Sequence, residues 1–121
     1  MTRAFSIGVD VEYLRPVPNF EEIASQFFSP REAATLLAVP TESRIERFFA
    51  YWTGKESFLK ATGEGIGGGL AKVEVTLTPG EEAEILSIAG QLPTRTEWKV
   101  RSFSPARGYL AAIALAPSRP T

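Results

Sequence analysis

Residues 41–61, TESRIERFFAYWTGKESFLKA, read as one long helix, with Thr41 (or Ser43) as its N-cap just after Pro40. Counting from Ile45 at about 100° per residue, Ile45, Phe48, Phe49, Trp52 and Leu59 share one face. Glu56 falls in the middle of that face, one turn beyond Trp52. A carboxylate on an apolar stripe is costly unless it finds a partner. Two partners are open to it. Lys60 offers an i, i+4 ion pair in the favoured order, and other carboxylates brought in by the fold offer a shared cation.

The strand that would supply those carboxylates is AFSIGVDVEYL. Phe5, Ile7, Val9 and Val11 leave one side of it, and Ser6, Gly8, Asp10 and Glu12 leave the other. Pro16 and Pro18 end the pattern. Asn19 then reads as the N-cap of a short helix over 20–27. Ser29-Pro30-Arg31-Glu32 reads as a stronger start, with Ser at N-cap, Pro at N1 and Glu at N3, for a helix reaching Val39. After the long helix, TGEGIGGGL is a glycine-rich loop. Strand-like runs follow: AKVEVTL, AEILSI, EWKVRSFS and GYLAAIALAP, with turns at Pro79-Gly80, 90–93 and 104–108. One strand, three helices and then three or four strands make an α+β fold with an antiparallel C-terminal half. With 121 residues the chain is one domain, 1–121.

Composition narrows the chemistry. The formal net charge is −1 with acids and bases interspersed, which argues against a nucleic-acid partner. No apolar run approaches the ~18 residues of a membrane span, and no signal peptide is visible, so a cytoplasmic protein without a membrane partner is expected. Cysteine and histidine are both absent. Thiolate and imidazole ligands are thereby excluded, and acid–base work falls to carboxylates, Lys or Tyr.

Asp10 and Glu12, two apart on a strand, leave the same face about 7 Å apart. By themselves they read first as an ordinary solvated strand face. With Glu56 crossing over them they would form a three-carboxylate site for Mg²⁺, with Lys55 and Lys60 near enough to hold an anion. Gly63, Gly65 and Gly68 satisfy G-x-G-x-x-G but follow a helix, so the dinucleotide fingerprint lacks its context. Gly54-Lys55 is no P-loop, because Glu56 stands where Ser or Thr is required and Phe49 where a glycine is.

IGVDVE at 7–12, FFSPRE at 27–32, FFAYWTGKESFLKATGEGI at 48–66 and GYLAAIAL at 108–115 resemble, in this order, the 4′-phosphopantetheinyl transferase superfamily. Trp52, Thr53, Lys55, Glu56, Ser57 and Lys60 fill its W-[TS]-x-K-E-[AS]-x-x-K signature. The resemblance implies transfer of phosphopantetheine from coenzyme A to a serine of an acyl- or peptidyl-carrier protein. It implies Asp10, Glu12 and Glu56 as Mg²⁺ ligands, and Glu56 as the group activating the serine. Lys60 would contact the coenzyme phosphates and stabilise charge, with Asp10 and Lys55 also on the coenzyme side and Arg31 as an anionic contact. The signature wording is that of the two-lobed branch, whose first lobe has no counterpart here. The length is that of the small, trimeric holo-acyl-carrier-protein synthases. A homo-oligomer, dimer or trimer, is therefore expected, or else a separate first-lobe partner. The alternative is a non-catalytic half-domain that binds carrier protein or assembles with it.

Overall fold

The computed structural model describes residues 5–62, 73–76, 82–88 and 99–117. The first strand, β1, is Phe5–Tyr13, followed by helices α1 (Phe20–Phe27), α2 (Pro30–Ala38) and α3 (Thr41–Thr62). Strands β2 (Val73–Thr76), β3 (Glu82–Ile88), β4 (Lys99–Phe103) and β5 (Tyr109–Pro117) complete an antiparallel sheet in the order β1-β5-β4-β3-β2. This is the expected α+β arrangement. The first strand of the chain pairs with the last, Val9 opposite Ile113 and Asp10 opposite Ala112. The glycine-rich loop and the turns at Pro79-Gly80 and 90–93 lie outside the described residues.

Local signals explain the helix boundaries. Ser29 caps α2 through a complete capping box: its hydroxyl accepts from the Glu32 amide, and a Glu32 carboxylate oxygen accepts from the Ser29 amide. Pro30 occupies the first turn, where a missing N–H costs nothing. Asn19 meets expectation in part. Its φ of 57° puts it in the left-handed region, and its side chain makes no cap bond to α1. Asn tolerates that conformation through its short polar side chain, so Asn19 stands at the expected N-cap position, its carbonyl oxygen accepting from the Ile23 amide at 3.0 Å, without a side-chain cap. The turn at 104–108 is present, with Gly108 at a φ of 81°.

Helix α3 packs chiefly on β1 and β5. Its apolar stripe widens into burial nearly all round: from Phe48 to Leu59 every residue except Trp52 is buried. One side carries an aromatic layer against α1 and α2, in which Phe28 meets Phe48 and Tyr51, and Phe27 meets Trp52 edge-on. The other side meets the sheet through small groups, Ser57 and Ala61 facing Gly8. A Cβ on Gly8 would overlap the Ser57 carbonyl oxygen and press on the Ala61 nitrogen, so only glycine lets β1 and α3 come this close.

That approach inverts the usual polarity of the strand. Antiparallel sheets ordinarily turn their apolar side to the core. In β1 the side bearing Gly8 and Asp10 faces the helix, while Ile7, Val9, Val11 and Tyr13 remain exposed. On β5, Leu110, Ala112 and Ala114 point inward, and Tyr109, Ile113 and Leu115 extend the bare apolar face. Gly8→Ala tests the close approach. Overpacking at backbone should cost about 2 kcal/mol or more, seen as a lower urea midpoint with an unchanged m-value.

Candidate active site

Asp10 is buried on the helix-facing side of β1, so the solvated-face reading of this acid does not hold. Its Oδ1 accepts from the Lys60 ammonium at 2.9 Å, and Lys60 also donates to the Val9 carbonyl oxygen at 3.2 Å. The lysine one turn beyond Glu56 thus reaches across to the strand. Asp10 Oδ2 is buried with no hydrogen-bond partner. Glu12, two residues on, is half-buried and accepts from Arg15 at 3.1 Å. Arg15 lies over the rings of Tyr13 and Phe49, which holds its guanidinium beside the strand acids.

Glu56 is only 4 % exposed. Burial pushes its carboxyl above the usual carboxylate range, and the Asp10 charge pushes it further, with a smaller push from Glu12. Asp10 is likewise raised, because its burial outweighs the help of Lys60. Asp10, Glu12 and Glu56 therefore sit within reach of one another's fields. Among the described residues, though, no three acidic side chains converge closely enough to ligate one ion as they stand. The residues present fit a hard divalent cation in donor chemistry. All donors are carboxylate oxygens, one of them is buried and unsatisfied, and a cation would relieve the mutual repulsion.

Lys55 is not part of this group. Its ammonium is fully buried toward α1 and α2, where it donates to Glu32 Oε1 at 2.6 Å and to the Phe27 carbonyl oxygen at 3.1 Å. Burial lowers its pKa and Glu32 opposes the shift. The expectation that Lys55 holds an anion beside Lys60 meets a simple geometric obstacle: five residues at about 100° each put the two lysines about 140° apart round the helix. Arg31 is exposed, 4.0 Å from Glu74. Two residues went unnoticed as site components in the sequence. Arg15 follows Glu12 by three, and that spacing was its only signal. Glu32 was legible as a cap residue, and nothing local tied it to Lys55. A cleft of about 860 Å³, lined among others by Arg15, Phe20, Arg44 and Ile45, opens on the Arg15 side.

A compact α+β domain with an acid-bearing edge strand crossed by a lysine- and glutamate-bearing helix defines the class. The family model of the 4′-phosphopantetheinyl transferase superfamily matches residues 6–114, and the chain belongs to that superfamily. It is 43% identical over 110 residues to the 4′-phosphopantetheinyl transferase HetI of Nostoc sp., covering 91% of this chain and 43% of that protein. It is 31% identical over 111 residues to Sfp of Bacillus subtilis, covering 91% of this chain and 46% of that protein. The chain thus spans less than half the length of these relatives. In fold it is similar to a holo-(acyl-carrier-protein) synthase from Bacillus anthracis solved with CoA (3′,5′-ADP). The TM-score is 0.71 at 19% identity, over 98% of this chain and all of that one. Among the described residues no helix is long and apolar enough to cross a membrane.

The raised carboxyls give a pH signature. A carboxyl whose folded-state pKa is raised takes up a proton more readily folded than unfolded, so stability falls as pH rises through that value. In metal-free protein the cost is present at neutral pH and relieved as pH falls toward the ordinary values of 4.5 for Glu56 and 3.8 for Asp10. Melting temperature should therefore climb as the pH is lowered from 7 into that range, and Glu56→Gln should raise it at pH 7 and flatten the slope. Equal slopes in wild type and Glu56→Gln would mean that Glu56 is not strained by its neighbours.

Proposed function

We propose that this chain is a Mg²⁺-dependent 4′-phosphopantetheinyl transferase domain that acts on coenzyme A and an acyl- or peptidyl-carrier protein. The observation carrying this reading is the buried Glu56 carboxyl set against Asp10, whose second oxygen lacks a partner. Asp10, Glu12 and Glu56 would hold the cation, which would supply positive charge to neutralise the pyrophosphate. The carrier serine oxygen would form a bond to the β-phosphorus of coenzyme A, and the bond from that phosphorus to the bridging oxygen would break. Phosphopantetheine then sits on the serine, and adenosine 3′,5′-bisphosphate leaves with the electron pair. Glu56, its basicity raised by burial, is the proton acceptor for the serine hydroxyl. Lys60, half-exposed and held by Asp10, presents an ammonium to the charge that builds on the leaving phosphate.

The bare sheet face supports self-association as part of the same reading. Ile7, Val9, Val11, Tyr13, Ile113 and Leu115 lie side by side on β1 and β5, with Phe103 and Tyr109 beside them. Together their exposed area is on the order of 800 Å², about one partner's share of a standard interface. A second copy would cover it, forming a dimer or trimer, as would a separate first lobe. The alternative is a non-catalytic half-domain that binds carrier protein or assembles with it.

Mixing the chain with coenzyme A, Mg²⁺ and an apo-carrier protein should add one phosphopantetheine mass to the carrier. Glu56→Gln should lower that rate by at least a hundredfold while the protein stays folded, and chelation should stop it. Carrier binding by calorimetry with no mass shift would favour the module. Sedimentation should show an oligomer that Val9→Glu/Ile113→Glu dissociates; a wild-type monomer would remove self-association from the reading.

A further inference from the structure

Glu32 and Lys55 are 1 % and 0 % exposed, and they form the most deeply buried ion pair among the described residues. The carboxylate collects donors from three separate segments. Its Oε1 accepts from Lys55 on α3 and from the Ser29 amide before α2; its Oε2 accepts from the Val75 amide of β2 at 2.8 Å. The Lys55 ammonium in turn donates to the Phe27 carbonyl oxygen at the end of α1 and lies 5.0 Å from the centre of the Phe28 ring. One buried pair therefore joins α1, α2, α3 and β2.

Stability alone does not account for a charged pair here. A buried ion pair is often no more stabilising than apolar side chains of the same volume, because desolvation offsets the attraction. What the charged pair adds is direction, since each bond has a fixed donor and acceptor and tolerates little rotation of the helix. Lys55 immediately precedes Glu56. With Lys55 locked toward α2, Glu56 is turned about 100° round the helix, onto the side where α3 meets β1. Ser57 follows and seats its carbonyl against Gly8.

We propose that Glu32 and Lys55 are a positioning pair, which sets the rotation of α3 so that Glu56 faces the β1 acids. The inference rests on the site assigned to Glu56 above, and it gives Lys55 a role that touches neither coenzyme nor cation. An aliphatic replacement would keep the volume and lose the rotational setting.

The test compares Lys55→Met and the charge-neutral double variant Glu32→Gln/Lys55→Met with Leu36→Ala, a truncation of a buried α2 residue that keeps both members of the pair in the sequence. Mg²⁺ affinity is measured by calorimetry, and the β1–α3 seat by nuclear Overhauser contacts between Gly8 and Ser57 or Ala61. Both pair variants should bind Mg²⁺ about tenfold more weakly and lose those contacts, with the double variant recovering melting temperature but not affinity. Leu36→Ala should melt lower yet keep both properties. Wild-type affinity and contacts in the double variant would overturn the proposal, as would an equal loss in Leu36→Ala. If the wild-type chain takes up no Mg²⁺, the metal reading fails separately, and the Gly8 contacts decide this inference without it. If Lys55→Met does not fold, the double variant decides it.

Discussion

The contact between Gly8 and the backbone of α3 at Ser57 and Ala61 is the constraint on which the rest of the molecule depends. Because the strand carries no side chain at that point, helix and sheet meet backbone to backbone, and Asp10 arrives beside Lys60 and Glu56 as a consequence. Small residues on both sides, among them Ala112 and Ala114 on β5, keep the layers close across the pairing of first and last strands. The aromatic side of α3 then has to find its cover elsewhere, which α1 and α2 supply.

Two kinds of electrostatic arrangement coexist along two turns of one helix. Glu32 is fully engaged, one oxygen accepting from Lys55 and the Ser29 amide and the other from the Val75 amide. Glu56 and Asp10 are the reverse: burial raises both carboxyls, the Asp10 charge pushes Glu56 further and the Glu12 charge adds to Asp10, and one Asp10 oxygen is left unsatisfied. Perturbed carboxyls of this kind gather at functional sites more often than elsewhere. The contrast divides the signature residues between two roles, with Glu56 and Lys60 turned toward the strand acids and Lys55 toward the scaffold.

Much of the fold was legible in the sequence because its signals are local. The strand alternation at 5–12, the capping box at Ser29 and Glu32 and the long helix from Thr41 each depend on neighbours within a turn or two. Asn19 takes the expected N-cap position but without a side-chain cap, since N-cap preference and left-handed turn preference favour the same residue type. The site was legible in part. Asp10, Glu12, Glu56 and Lys60 were singled out by carboxylate spacing and by an acid on an apolar stripe. Arg15 and the partner of Lys55 were not, because their pairings are made by folding: Glu32 is 23 residues from Lys55.

The sequence by itself determined that this is an α+β chain, and that any acid–base chemistry it performs falls to carboxylates, Lys or Tyr, since it contains neither histidine nor cysteine. It also determined its family, through a signature whose residues are contiguous. Only the tertiary structure decided which side of β1 faces the helix, which lysine belongs to the acids and which to the scaffold, and that an apolar sheet face stays bare. The physical reason is that alternation and helical spacing sort residues onto faces without saying what each face meets. That was decided by a glycine close enough to a helix backbone to exclude any side chain.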